Sequence, residues 1–156
     1  MGIKQMRQGI LLCVLLGSSI GIGMAQERLQ GLFEGTYTVG GINSAVTRKM
    51  EMYIRISGTR ITGRSYIHEG RGKPAELELS GVLFNDFSVY LEETGMVPDG
   101  NSGVLVPIFR KYQLKYSGDF EEVWMKGFWQ EVSDAPLDEK RRIGRVQLRK
   151  VRADKA

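Results

Sequence analysis

The residues equipped for chemistry are few. His68 is the only histidine and Cys13 the only cysteine, so a multi-histidine or thiolate metal site has no ligands to draw on. A Ser–His–carboxylate triad would have to use His68, and no nucleophile-elbow pattern surrounds any serine. Adjacent carboxylates within candidate strands are Glu92-Glu93 and Glu121-Glu122. Neighbours in a strand point to opposite faces, so neither pair converges on a substrate. Gly100-Asn101-Ser102-Gly103 lacks the lysine and the following helix of a phosphate loop. Lys140-Arg141-Arg142 stands beside Asp138-Glu139 and reads as a solvated run. The expectation is a binding protein with no catalytic residue, metal or cofactor. A recognition set remains: the aromatic residues Tyr37, Tyr112 and Trp129, with Ser65 and Arg110. Whether they meet depends on the elements that carry them.

Those elements are strands. In Lys49 to Ile56, Met50, Met52, Ile54 and Ile56 alternate with Lys49, Glu51, Tyr53 and Arg55. A period of two marks a half-buried strand. Ala75–Leu83 repeats it, as do Phe87, Val89 and Leu91, and then Ile108, Arg110, Tyr112, Leu114 and Tyr116. Weaker strands cover 33–39, 60–68, 120–130 and 143–151. Eight strands result, and a short helix over 134–142 is the only helical candidate. In the seventh strand Val123, Met125, Gly127 and Trp129 share the core face. On that phase Trp124 and Phe128 lie outside, available for an oligomer contact; on the opposite phase they belong to the core.

Tight turns at Ser57-Gly58-Thr59, Asn85-Asp86 and Ser117-Gly118-Asp119 have hairpin residue types. They alternate strictly with longer connections at 40–48, 69–74, 94–107 and 131–142. In an up-and-down meander this sorts the short turns to one end and the long loops to the other. Each strand has one apolar face, and an open sheet would leave two bare edges. Closure into an all-β, eight-stranded antiparallel barrel answers both problems; a two-sheet sandwich is the competing architecture. Large inward residues crowd the interior, Phe33, Met50, Met52, Phe87 and Met125 among them. Inward positions near the long-loop end are Tyr37, Ser65, Arg110, Tyr112 and Trp129. Aromatic walls with a few polar groups suit a small-molecule site. Arg110 would need an anionic partner there, which a ligand carboxylate could supply; alternatively the strand starts after Arg110, leaving it in a solvated loop.

Residues 1–25 read as a secretory signal peptide, leaving 26–156 as one domain. Lys4 and Arg7 open it, Ile10 to Ile22 is mostly apolar, and Gly23-Met24-Ala25 suits cleavage. The apolar run is shorter than the roughly 18 residues of a spanning helix, so no membrane span is expected after processing. The 156-residue chain has a formal charge of +4, with 22 basic and 18 acidic residues. Without Lys4 and Arg7 it falls to +2, no footprint for nucleic acid. A secreted or periplasmic location follows.

Leu32-Phe33-Glu34-Gly35-Thr36-Tyr37 resembles the opening strand of avidin-like proteins. Met52 through Tyr66, with Ile61-Thr62-Gly63, resembles their second and third strands. Gly127-Phe128-Trp129-Gln130 resembles the Trp-bearing seventh, and Ile143-Gly144 with Lys150-Val151 the ends of the eighth. The resemblance implies the fold shared by avidins and lipocalins. It does not carry biotin with it: Val39, Ser65 and Val146 stand where the ureido-binding residue, the third-strand Tyr and the buried Asp would be, and only Trp129 matches. Two roles are consistent with these features. One is a binder of a small, anionic amphipathic ligand at the long-loop end. The other is a filled barrel whose surface binds a protein partner.

Overall fold

A computed structural model describes residues 27–69, 72–97, 108–119, 121–133 and 142–152. The signal segment, the Gly100–Gly103 loop, Lys140-Arg141 and the helix expected over 134–142, Arg142 apart, lie outside these residues. The strands are β1 (Gly31–Thr38), β2 (Thr47–Ser57), β3 (Arg60–Ile67), β4 (Ala75–Leu83), β5 (Ser88–Met96), β6 (Arg110–Gly118), β7 (Val123–Glu131) and β8 (Ile143–Lys150). Each pairs antiparallel with its neighbours in sequence, and β1 pairs with β8 to close the barrel. Closure rather than a sandwich leaves no strand with an unpaired edge. Among the described residues, no helix is long and apolar enough to cross a membrane.

The period-two pattern resolves as inside and outside. Phe33, Met50, Met52, Ile54, Leu91, Met125 and Leu148 are buried in the lumen. This interior is filled with side chains. Phe33 and Tyr116 pack tilted at 5.9 Å near the short-turn end. Residues 27–30 close that end. The Leu29 carbonyl accepts from the Tyr116 hydroxyl at 2.8 Å, and Gln30 Oε1 accepts from the Ile56 amide at 3.0 Å.

Two expectations are corrected here. Phe87 is not an inward strand residue: it sits in the β4–β5 turn with φ of +62°, and its side chain is half exposed. Its amide donates to the Phe84 carbonyl at 3.1 Å, closing the turn before β5 begins. Arg110 is not in a solvated loop: it is the first residue of β6 and is buried. In β7, Met125 and Trp129 point inward, while Phe128 is half exposed and Trp124 partly so.

Candidate functional site

The strands deliver Tyr37, Ser65, Arg110, Tyr112 and Trp129 to one place, the long-loop end of the barrel. β1, β3 and β7 end there and β6 begins there. All five residues are buried. The group at their centre is one more, Glu93 of β5. Leu79 of β4 pairs with Glu93, while the preceding Glu78 pairs with Gly95, so Thr94 is an extra residue. Such bulges re-aim side chains near sites. Glu93 continues the inward face of Val89 and Leu91.

Glu93 is held by donors. Tyr112 Oη donates to Oε1 at 2.5 Å, Ser65 Oγ donates to Oε1 at 2.9 Å, and the Arg110 amide donates to Oε2 at 2.7 Å. The Arg110 guanidinium lies 3.7 Å from Oε2 through Nη1. Nη1 also donates to the Ile108 carbonyl at 2.9 Å, and Nη2 to Glu69 Oε1 at 3.2 Å. Glu69 follows β3 at the rim, and its side chain is 41% exposed. The guanidinium carbon lies 5.2 Å from the centre of the Tyr37 ring and 5.4 Å from that of Trp129, within cation–π range. The two rings meet edge-on at 5.9 Å. Trp129 Nε1 donates to the Thr38 carbonyl at 2.9 Å. This bond needs Gly144: a Cβ there would fall 2.2 Å from Trp129 Nε1.

Burial pushes the Glu93 carboxyl above the usual carboxylate range, against the opposing pull of Arg110 and the hydrogen bonds from Tyr112 and Ser65. Burial also opposes the Arg110 charge, but the acidic groups around it, Glu93 and Glu69 among them, together outweigh it, so the guanidinium is held charged. Burial raises the Tyr37 hydroxyl too, and raises that of Tyr112 further with Glu93 beside it. Among the described residues, Arg110 Nε is buried with no hydrogen-bond partner, and Tyr37 Oη is buried with none in bonding geometry, although the Arg48 side chain lies near it. A buried polar atom left unpaired costs on the order of 1–3 kcal/mol, so these two need an explanation.

No family model, curated protein or solved structure matches the chain. Function is therefore read from the barrel and this cluster. His68 stays apart from it, with Nε2 3.1 Å from Glu51 Oε1. Among the described residues, no group of His, Cys, Asp and Glu is arranged to hold a metal. Sequence reasoning missed Glu93 and Glu69. Glu93 was reachable by extending the β5 alternation one step; Glu69, outside any strand, left no signal.

Proposed function

We propose that this protein is an exported, non-enzymatic barrel that holds a small amphipathic carboxylate at its long-loop end. The observation that supports it is the Nε–Nη2 edge of Arg110. Nη2 makes a single contact with Glu69, while Nε is buried and unpartnered. A carboxylate lying along that edge makes two parallel bonds where Glu69 makes one. Glu69, partly exposed, swings aside to admit it. The Tyr37 and Trp129 rings beside the guanidinium receive the apolar part of the ligand, and the Tyr37 hydroxyl supplies a further polar contact. Ser65 and Tyr112 act through Glu93, which sets Arg110 in place.

Export rests on residues 1–25; an intact mass beginning at Gln26 tests it. The closed eight-stranded meander is compatible with the avidin and lipocalin group, and we place the chain beside them as a likeness of fold. The filled lumen supports a second reading, an interaction module that binds a protein partner through its surface. Thermal-shift screening with aryl and alkyl carboxylates separates the two. The ligand reading expects stabilisation of the wild type, more in Glu69→Gln, and none in Arg110→Lys, which keeps the charge but loses the fork. No stabilising carboxylate with either wild type or Glu69→Gln would reject it.

A further inference from the structure

The outer surface of the barrel is electrically lopsided. On the outward strand positions of β2 to β5, Lys49, Arg55, Arg60 and Arg64 are matched by Glu51, Glu76, Glu78 and Glu92, with Lys49–Glu51 and Arg64–Glu76 as ion pairs. The outward positions of β6 to β8 carry Lys111, Lys115, Lys126, Arg145 and Arg149 and no carboxylate; the flanking strands set Glu92 opposite Lys111 and Glu34 opposite Arg149, and leave Lys115, Lys126 and Arg145 without one opposite. The register makes these a grid. Lys115 stands directly opposite Lys126, Phe128 stands between Gln113 and Arg145, and Trp124 stands opposite Arg149. Like charges directly opposite destabilise a sheet pair. Asp86 approaches Lys115 at 3.7 Å and Glu122 approaches Arg149 at 3.5 Å, both from flanking turns. Among the described residues, no carboxylate forms an ion pair with Lys111, Lys126 or Arg145.

A groove of about 520 Å³ runs from the β7–β8 part of this face onto β1 and the start of β2, lined by Lys126, Phe128, Arg145 and Gln147 on one side and Thr36, Thr38 and Thr47 on the other. Phe128 is half exposed in it. Trp124 is already engaged, with Lys126 at 4.6 Å and Arg149 at 6.0 Å over its ring.

We infer that the outer face of β6 to β8 is a docking surface for an acidic polysaccharide. Charge complementarity calls for an anion, and the rest of the face selects its kind. One open ring does not make the run of stacking surfaces that single-stranded nucleic acid uses. Phe128 and Ile143 are the exposed large apolar side chains of the grid, too few to anchor in a bilayer. A flat ring beside two cations, with Thr hydroxyls and a Gln amide in reach, suits a sugar ring bearing a carboxylate. The ring packs on Phe128, the carboxylate pairs with Arg145 or Lys126, and the sugar hydroxyls meet Gln147, Thr36 and Thr47. This surface lies outside the barrel wall and meets the long-loop end only at Thr38; the inference does not rest on the ligand proposed there.

The test is a binding titration of the full chain with polygalacturonate oligomers at low salt, against a neutral galactan of equal length. The wild type is expected to bind the acidic chain and not the neutral one. Lys126→Glu with Arg145→Glu should weaken binding about tenfold or more, and Phe128→Ala about fivefold with the salt dependence kept. The control pair Arg55→Glu with Arg60→Glu, on the far side, should leave it unchanged. Absence of binding by the wild type would overturn the inference. So would equal loss in the control pair, or tighter binding of phosphatidylglycerol vesicles or single-stranded DNA than of polygalacturonate.

Discussion

Arg110 meets Glu93 twice through one oxygen. Its backbone amide donates to Glu93 Oε2 at 2.7 Å, and its guanidinium stands 3.7 Å from the same atom. The carboxylate thus accepts the first amide of β6 and also neutralises the side chain that begins it. Strand start and charge placement are a single arrangement.

Breaking that pair on one side leaves the buried Arg110 charge to the partly exposed Glu69 alone. Glu93→Gln should lower stability by about 3 kcal/mol, whereas Arg110→Met with Glu93→Leu should recover most of the loss. Urea denaturation of the three proteins measures both. A Glu93→Gln protein within about 1 kcal/mol of wild type would show that the pair is worth no more than a surface bridge.

The pH dependence has a defined sign. The Glu93 carboxyl is raised by burial above the ordinary glutamate value of 4.5, so the folded state keeps this proton at pH values where the unfolded chain has lost it. The Glu93 contribution is therefore greatest below the ordinary value and declines as pH rises through the folded one. Glu93→Gln should remove this decline. Urea midpoints of both proteins, followed upward from pH 4, test it; parallel curves would contradict it.

Gly127 lies on the inward phase of β7, between Met125 and Trp129. A Cβ there would fall 2.0 Å from the Gln113 carbonyl oxygen of β6, a backbone atom with nowhere to go. Gly127→Ala should cost about 3 kcal/mol, read as a lowered melting temperature. Wild-type stability in this variant would place the neighbouring strand further away.

Phe87 holds a left-handed backbone with its ring half in water. Phe87→Gly should stabilise the protein by about 1 kcal/mol, since it relieves the conformation and sacrifices little burial. A loss of stability would show that the ring packs more than its exposure implies.

Much of the architecture could be read from the chain because its signals are local. Alternation in Lys49–Ile56 and Ala75–Leu83 marks faces, and the turn residues sort the connections to two ends. Tyr37, Ser65, Tyr112 and Trp129 followed from those faces. Glu93 did not, because a glutamate on an apolar phase looks like the end of a strand. Its burial depends on Arg110, across a long connection whose register no local pattern sets. Phe87 misled for the opposite reason: its type suits a strand, while the turn it closes demands the backbone of a glycine. Arg110 showed a need for an anion without showing that Glu93 and Glu69 already stand beside it.

In the proposed function, Arg110 holds a ligand carboxylate in the position Glu69 now half fills. Native mass spectrometry of the protein purified from the cells that make it tests this directly, comparing wild type, Glu69→Gln and Arg110→Lys. The expected result is a small-molecule adduct on wild type, a larger bound fraction in Glu69→Gln, and bare protein in Arg110→Lys. Bare protein in all three, or an adduct indifferent to Arg110, would contradict it.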